Sequence, residues 1–381
     1  MFVCEKCGNT NSRYIGYINN KPYCRLCLSF NGKSASFHYI NLNSDLKEEL
    51  SYELSEEQEN IATGVKEAFA NHKNSLIHAV CGAGKTELVY RTIAYALSFG
   101  LQVGFTIPRK DVVIELEERI KSAFPSNSVT SVYGGHTSNL EADIILLTCH
   151  QLYRYEHYFD LLIIDETDAF PYQGNEILHT YFNKSLRGNF IMMSATPLPS
   201  MIKEVRDTGG KFFELKTRYH GHPLIVPKVI VSPFFRDFLI SKKLKQFLND
   251  NKQCFIFEPT IDKAEILFNK LKTFYKQGAV VHSKKSNREE IISAFKKGEY
   301  RYLITTSILE RGVTVKNLQV IVDDASSPIY DEKTLIQIAG RVGRKIDAWD
   351  GEVIFFCDKE NDEIRSAIEK IKEANTYVKN M

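Results

Sequence analysis

Long apolar segments are absent from this 381-residue sequence, and no run approaches the roughly 18 residues that a membrane-spanning helix needs. Low-complexity tracts are absent as well. Hydrophobic residues make up 43% of the chain and charged residues 25%, with 24 phenylalanines and 19 tyrosines, a composition that excludes a mainly disordered chain. The first ten residues, MFVCEKCGNT, lack the apolar core of a secretory signal. We therefore expect a globular protein of the cytoplasm.

Net charge is also nearly absent. Lysine and arginine number 49 against 47 aspartates and glutamates, so bulk charge gives no reason to expect a polyanionic partner. Any basic surface must be local. The length suits two domains of ordinary size with a small appendage.

Four of the eight cysteines lie within the first thirty residues, as two CxxC pairs separated by sixteen residues: Cys4, Cys7, Cys24 and Cys27. Two CxxC knuckles at this spacing resemble a zinc ribbon and predict one structural Zn²⁺. The alternatives are two disulfides or four unrelated thiols. Basic residues surround the knuckles: Lys6, Arg13, Lys21 and Arg25. The module would either touch nucleic acid or dock a protein partner.

Short apolar runs alternate with amphipathic stretches from about residue 54 to 200, which is typical of a parallel sheet with helices on both faces. The predicted strands are 76–80, 103–107, 144–148, 161–165 and 190–194. The pattern also predicts helices over 85–98 and 111–124, the second capped by Asp111.

A second alternating series follows a segment rich in proline and glycine, 220–233, which we interpret as a linker. The predicted strands are 254–257, 279–282, 301–305, 320–322 and 353–356. The predicted helices are 236–250, 262–276, 288–297 and 331–342. Both series together predict an α/β protein with two doubly wound parallel sheets.

The segment AVCGAGKT, residues 79–86, lies between a predicted strand and a predicted helix, as a phosphate-binding loop requires. Its glycines would let backbone N–H groups face phosphates, Lys85 would reach the terminal phosphates, and the Thr86 hydroxyl would bind Mg²⁺. The alternative is a chance glycine-rich turn. The predicted ATP-contacting residues here are Gly82, Ala83, Gly84, Lys85, Thr86 and Glu87.

The acidic segment DETD, residues 165–168, ends an apolar strand and would place carboxylates at the ligand-binding edge of a parallel sheet. Asp165 would hold Mg²⁺, and Glu166 would orient or deprotonate the attacking water. The alternative is an ordinary acidic turn.

Four further segments resemble the motifs of superfamily-two helicases. LSEEQ (54–58) resembles their adenine-reading motif, and SATP (194–197) resembles motif III. TTSILERGVTV (305–315) and QIAGRVGRK (337–345) resemble motifs V and VI. By this resemblance Gln58 would bind adenine, and Ser194 and Thr196 would couple the nucleotide site to a nucleic-acid strand.

Motif VI implies that a second lobe supplies Arg341 and Arg344 as arginine fingers, which with Lys85 and Glu166 complete the predicted catalytic set. Hydrolysis would then switch the two lobes between closed and open states while they are bound to a nucleic-acid strand. The alternative for each arginine is a solvated helix face. Ile338 stands where some helicases carry another arginine, so two fingers are expected.

The cysteine module together with AVCGAGKTE, PRKDVVIEL (108–116), TCHQLYRY (148–155), DETDAFPY (165–172) and GRVGRK closely resembles the ComFA family of late-competence ATPases. Thr167 is a mild variant of the family pattern. The resemblance implies two RecA-like lobes, 51–218 and 219–381, behind a zinc module and linker at 1–50. It also implies an ATP hydrolase that translocates on or unwinds DNA during bacterial transformation, at the inner face of the membrane.

The same resemblance implies single-stranded DNA as substrate, a ComFC-type phosphoribosyltransferase-like partner and a membrane DNA-uptake channel. Strand contacts would come from Arg109, Thr148, His150 and Thr306, although His150 is equally well interpreted as a structural residue at a strand end. Two other functions stay open. One is a PriA-like replication-restart helicase, which carries its cysteines between the lobes; the other is an ATP-gated nucleic-acid clamp or assembly factor without motor activity.

Overall fold

The computed structural model of the chain describes residues 2–40, 46–50, 52–80, 82–168, 171–218, 221–306, 315–345 and 347–378. It divides into two compact units, one of residues 1–79 and 84–215, the other of residues 80–83 and 216–381. Cys81 of the phosphate loop and residues 307–314 of motif V lie outside the described residues. Within these residues, every helix is too short or too polar to cross a lipid bilayer.

The cysteine module is built on a small antiparallel hairpin of strands Ile15–Ile18 and Lys21–Cys24. Asn19 and Asn20 form its two-residue turn with φ of 49° and 61°, a left-handed conformation that asparagine tolerates. Short 3₁₀ turns, Ser12–Tyr14 and Arg25–Cys27, flank the hairpin.

A seven-stranded parallel sheet forms the centre of the first unit. In sheet order its strands are Val129–Val132, Ile144–Thr148, Val103–Ile107, Phe159–Ile164, Leu186–Ser194, Ser75–Ala79 and Lys211–Leu215. Its helices are Glu56–Ala70, Tyr90–Ser98, Lys110–Ala123, Glu176–Ser185 and Pro199–Asp207, with 3₁₀ turns Glu87–Val89 and Cys149–Arg154. Because both faces are covered, the central strands are apolar at nearly every position.

A six-stranded parallel sheet forms the second unit. In sheet order its strands are Lys228–Val231, Val353–Cys357, Leu318–Val322, Gln253–Phe257, Tyr302–Thr305 and Gly278–Val281. Its helices are Arg236–Asn249, Ile261–Leu271, Arg288–Lys296, Glu332–Ala339 and Asp362–Val378. Phe255 and Phe257 pack on one side of this sheet, and Cys254 and Ile256 on the other. Two parallel-sheet α/β units confirm the predicted fold class.

Several predicted elements differ in detail. The segment interpreted as a linker contains an edge strand, Lys228–Val231, which begins after Pro227 and pairs with Val353–Cys357. An edge position tolerates a neighbouring proline because one side of the strand needs no partner. Asp111 does not cap its helix; Arg109 occupies the cap position, and Asp111 lies in the first turn.

Three helices are clearly shorter than predicted, and one of them, expected over 262–276, ends at Leu271. The helix expected from residue 85 becomes α-helical only at Tyr90, after the 3₁₀ turn Glu87–Val89. The helix expected over 331–342 ends at Ala339, with Gly340 as its C-cap. The residues of motif VI therefore follow the end of this helix.

Candidate nucleotide site and four-cysteine centre

The phosphate loop follows the strand Ser75–Ala79 and turns sharply at two glycines. Gly82 and Gly84 have φ of +81° and +75°, which glycine adopts without steric cost. A side chain at Gly84 would also meet neighbours, since its Cβ would lie 2.7 Å from Tyr52 Oη and 2.8 Å from Gln58 Nε2. Both the loop conformation and the adjacent Gln58 amide therefore require glycine at this position.

Gln58 is held by the start of the helix Glu56–Ala70. Its backbone N–H donates to Ser55 Oγ at 3.3 Å, and its Oε1 accepts from the Ser55 N–H at 2.9 Å. This reciprocal capping box orients a side chain that is 1% exposed. The predicted adenine-reading glutamine thus has its amide nitrogen beside the phosphate loop and its amide oxygen committed to the helix cap.

Lys85 and Asp165 meet at one edge of the sheet. Lys85 Nζ lies 3.6 Å from Asp165 Oδ1, and the two side chains are 17% and 14% exposed. The Asp165 N–H donates to the Thr106 carbonyl at 3.0 Å, which ties it to the neighbouring strand. Thr86, the next residue after Lys85, is buried. A cation, a hydroxyl and a carboxylate are the groups that phosphate and Mg²⁺ require, so these residues fit both.

Glu166 follows in a left-handed conformation. Its φ is +56°, and its N–H donates to Asp165 Oδ1 at 2.8 Å. This conformation costs a residue with a Cβ about 1–2 kcal/mol, and such strain concentrates at functional sites. The strain at Glu166 is consistent with the predicted role of the DETD segment.

Asp168 connects DETD to the SATP segment. Ser194 Oγ donates to Asp168 Oδ1 at 2.9 Å, and Thr196 Oγ1 donates to Asp168 Oδ2 at 2.7 Å. The Thr196 N–H also donates to Ser194 Oγ at 3.0 Å. Bonds to an ionised acceptor are about twice as strong as neutral ones. The sequence predicted Ser194 and Thr196 as coupling residues but gave Asp168 no separate role, and its only signal was its place as the last acid of DETD.

Glu87 is engaged in a different contact from the one predicted for it. Its Oε1 accepts from Arg119 Nη2 at 2.6 Å, while Oε2 is buried and has no hydrogen-bond partner among the described residues. This ion pair joins the end of the phosphate loop to the helix Lys110–Ala123. A role of Glu87 in binding ATP stays a prediction.

In the second unit, Arg341 is not on a solvated helix face, because it follows the helix end and its side chain is 1% exposed. Arg344 is half-buried, and its Nε donates to the Gly340 carbonyl at 2.9 Å. Arg218 fastens the same segment by donating to the carbonyls of Val342 and Gly343 at 3.0 and 2.7 Å. No sequence pattern signalled Arg218.

The predicted strand-contacting residues occupy the C-terminal ends of strands. Thr148 ends Ile144–Thr148, and His150 follows in the turn Cys149–Arg154, where burial lowers its pKa. Arg109 follows the adjacent strand, and its guanidinium contacts Asp111 at 3.3 Å. These three residues therefore lie along one edge of the first sheet. Thr306 lies directly after Tyr302–Thr305 in the second unit, and its carbonyl accepts from Thr305 Oγ1 at 3.0 Å.

The four module cysteines converge on one point. Their sulfur atoms all lie within 4.8 Å of one another, with Cys4–Cys27 at 3.6 Å and Cys7–Cys24 at 3.7 Å. Tetrahedral Zn²⁺ with Zn–S bonds near 2.3 Å requires sulfur separations of about 3.8 Å, so the set fits this ion. Burial raises the pKa of Cys7, and a bound cation would be needed to hold four thiolates together.

The cysteine module packs on the rest of the first unit through contacts that no local pattern predicted. Tyr181 Oη lies 3.5 Å from Cys27 Sγ, and Lys184 Nζ donates to the Glu5 carbonyl. Phe30 packs edge-on against Tyr181 with ring centroids 5.1 Å apart. The thiolate centre is therefore in contact with the helix Glu176–Ser185.

Models of known protein families match each of the two units separately. Residues 51–198 match the family described as type III restriction enzyme, res subunit, and residues 240–345 match the helicase conserved C-terminal domain. The structure of Mycobacterium smegmatis helicase Lhr bound to ssDNA and AMP-PNP superposes with a TM-score of 0.64 at 16% identity, covering 84% of this chain and 50% of that one. The fold is that of a helicase-type ATPase.

Full-length relatives identify the family. Competence protein ComFA of Bacillus subtilis is 32% identical over 98% of this chain and 86% of its own length. Competence protein ComFA of Streptococcus pneumoniae is 34% identical over 98% of this chain and 90% of its own length. The chain therefore belongs to the ComFA family of helicase-type ATPases.

Proposed function

We propose that this protein is an ATP-driven motor that moves along single-stranded DNA during DNA uptake in competent bacteria. The observation that carries the proposal is the pair of Lys85 and Asp165, 3.6 Å apart at the edge of the first sheet and followed by the strained Glu166. The competence role rests on the ComFA relatives, which are named competence proteins.

In this proposal Lys85 holds the terminal phosphates, and Thr86 and Asp165 hold Mg²⁺, which would neutralise phosphate charge when bound. Glu166 orients the attacking water, and Arg341 and Arg344 act on the γ-phosphate. The bonds from Ser194 and Thr196 to Asp168 give the DETD segment a direct mechanical link to SATP.

The DNA strand would contact the sheet edge of the first unit that carries Arg109, Thr148 and His150, and Thr306 of the second unit would also contact the strand. Such contacts go mainly to phosphate and sugar, so affinity should fall with salt and sequence preference should be weak. A ComFC-type partner and a channel at the inner membrane face belong to the same proposal through the family resemblance.

Hydrolysis assays with single-stranded DNA, duplex DNA and RNA, combined with a roadblock assay, test the motor. We expect single-stranded DNA to stimulate ATPase activity most and the protein to displace streptavidin from a biotinylated strand only with ATP. Stimulation without displacement would favour the ATP-gated clamp. Lack of stimulation by any nucleic acid would contradict the proposal.

We further propose that Cys4, Cys7, Cys24 and Cys27 bind one zinc ion, because their sulfur separations match tetrahedral coordination. Elemental analysis should find roughly one zinc per chain, lost in Cys24→Ser. Cys254→Ser, which changes a buried thiol in the second sheet, is the control and should retain zinc. Correctly folded wild-type protein without zinc would refute this site.

A further inference from the structure

A groove of about 410 Å³ lies between the cysteine module and the first helicase unit. Residues 29–32 of the module form one wall. The rest is formed by seven residues of the first unit outside the module: Gly134, Gly135, Thr137, His150, Gln151, Tyr153 and Arg154. We call this feature the module groove. Its volume falls in the range of roughly 300–1,000 Å³ that is usual for small-ligand pockets, which suits a single nucleotide.

The walls of the module groove are fastened to each other. The Phe30 N–H donates to the Cys27 carbonyl at 2.9 Å, so the cysteine centre sets the start of the 29–32 wall. The Gly32 N–H donates to Tyr153 Oη at 3.1 Å, and Arg154 Nη1 donates to the Lys33 carbonyl at 2.7 Å. These bonds hold the two walls at a fixed separation, which lowers the ordering cost of binding.

Aromatic rings line the groove. The rings of Phe30 and His150 are nearly parallel, with an interplanar angle of 10° and centroids 6.3 Å apart. Tyr153 meets Phe30 edge-on with centroids at 5.5 Å. Because burial lowers the pKa of His150, its ring is neutral near pH 7 and presents an uncharged π-face. Unpaired bases stack on such rings with little sequence preference.

The charge in the groove has one sign. Arg154 is buried, contacts the Tyr153 ring at 4.8 Å from its centroid, and donates from Nε to Gln151 Oε1 at 2.7 Å. None of the described residues that line the groove carries a carboxylate. Gly134 and Gly135 have no atom within 4 Å of their Cβ positions, so a phosphate backbone could approach this rim closely.

We infer that the module groove binds an unpaired base and its adjoining phosphate, so that the cysteine module extends the DNA path of the first helicase unit. This inference rests on the proposed function, since it continues the predicted strand path through His150. Aromatic faces, a buried arginine and an acid-free lining match a nucleotide better than a peptide. A duplex base is stacked and cannot enter without being extruded, so the groove selects single strands.

A charge placed in the groove tests the inference. Asn31 is exposed and lines the groove, so Asn31→Asp should fold normally and repel phosphate. We expect the Kd for a fluorescent oligo-dT of about thirty nucleotides, measured at low salt, to rise about 3–10-fold. Asn20→Asp, in the hairpin turn of the same module, makes the same charge change away from the groove and should stay within about twofold.

The outcomes separate two failures. If the wild type does not bind oligo-dT, the proposed function itself fails. If the wild type binds and Asn31→Asp binds equally well, only the groove assignment is overturned. Loss of binding to a protein partner in Asn31→Asp, with DNA affinity unchanged, would equally overturn it and assign the groove to that partner.

Photocrosslinking gives a direct readout that does not depend on a variant. Oligo-dT containing 5-iodouracil crosslinks to aromatic side chains in contact with the base. Trypsin should release the crosslinked wall as the peptide LCLSFNGK, residues 26–33. Crosslinks that peptide fragmentation maps to Phe30, His150 or Tyr153 in wild-type protein support the inference, whereas crosslinks only at residues outside the groove overturn it.

Discussion

The two units contain the same backbone turn at the end of a central strand. In the first, Phe159–Ile164 leads into Asp165, whose N–H donates to the Thr106 carbonyl at 3.0 Å and whose carboxylate accepts the Glu166 N–H at 2.8 Å. Glu166 is left-handed, with φ of 56°.

In the second unit, Leu318–Val322 leads into Asp323, whose N–H donates to the Phe257 carbonyl at 2.9 Å. Its carboxylate accepts the Asp324 N–H at 2.7 Å, and Asp324 has φ of 49°. The geometry is that of the first unit, with a second acid again in the left-handed position. The two units therefore share the backbone conformation of this turn and the aspartate at its first position.

The neighbouring cations differ. Arg236 lies 3.4 Å from Asp323 and 3.5 Å from Asp324, and Lys263 lies 2.8 Å from Asp324, so the second turn is neutralised by cations carried on helices. In the first turn Lys85 comes from the phosphate loop and lies 3.6 Å from Asp165, too far for a good hydrogen bond. The same turn is an internal ion pair in one unit and the proposed ligand site in the other, and the two differ in where the cation is attached.

Replacing the two lysines is the strongest way to break this comparison. Lys85→Ala should lower ATP turnover by about 10²–10³-fold, because it removes the charge that faces the phosphates. Lys263→Ala, which removes the lysine that contacts Asp324 of the second turn, should stay within about twofold. Steady-state hydrolysis at saturating single-stranded DNA measures both. Equal losses in the two variants would mean that the turns are functionally alike.

Asp168 marks a second difference, because the first turn reads DETD where the second reads DDAS. Asp168→Asn weakens the bonds from Ser194 and Thr196, each worth about 1.5–3 kcal/mol to a charged acceptor. We expect about tenfold less stimulation of hydrolysis by single-stranded DNA, with basal turnover reduced less. Ser326→Ala at the equivalent position of the second unit is the control. A proportional fall of basal and stimulated rates in Asp168→Asn would argue against coupling.

Sequence patterns were sufficient where function depends on strand ends. Because the carboxyl ends of parallel strands meet at one edge, locating two strands was enough to expect Lys85 and Asp165 near each other. The CxxC spacing likewise implied a convergent thiol set, since each knuckle brings two sulfurs together locally.

The contacts that escaped prediction are long-range or depend on exact helix ends. Phe30 and Tyr181 are in contact although 151 residues of sequence separate them (181 minus 30). Phenylalanine and tyrosine are common in every hydrophobic core, so neither residue signals this particular contact. The edge strand Lys228–Val231 was not predicted because nearby prolines indicated a linker. Arg109 occupies the cap position in place of Asp111 because helix ends are set by tertiary contacts as well as by propensity.

Breaking the second turn should affect stability more than turnover. The Arg236 side chain is 19% exposed and contacts three carboxylates, so Arg236→Ala leaves them mutually repelling. We expect the free energy of unfolding to fall by about 2 kcal/mol, which corresponds to a decrease of roughly 4–8 °C in Tm. This value is below that of a fully buried pair because the Arg236 side chain is partly exposed. Arg365→Ala removes an exposed pair with Asp362 and should change Tm by less than about 2 °C.

Two outcomes distinguish an ion-pair role from lost packing at Arg236. Adding Asp323→Asn to Arg236→Ala should recover part of the lost Tm, because one of the repelling charges is removed. If the double variant is as unstable as the sum of the single changes, the side chain stabilises the unit by packing alone.

A series of measurements over pH tests Glu258, which is buried beside Asp323. Burial and the neighbouring carboxylate raise its pKa from an ordinary value of 4.5 to about 9. Between these values the folded protein keeps a proton that the unfolded chain has released, so stability falls as pH rises through this window. Glu258→Gln has no proton to release. Its Tm relative to wild type should therefore increase steadily from pH 5 to pH 9.

Glu352 provides a control of opposite sign. The hydrogen bond from Lys228 lowers its pKa, so its contribution is present above the unfolded value and is lost only as pH falls below it. Glu352→Gln should consequently show a constant Tm offset from wild type between pH 5 and pH 9. If Glu258→Gln also gave a constant offset, Glu258 would be ionised in the folded protein. The second turn would then carry one more negative charge than Arg236 and Lys263 are expected to balance, and the contrast with the first turn would weaken.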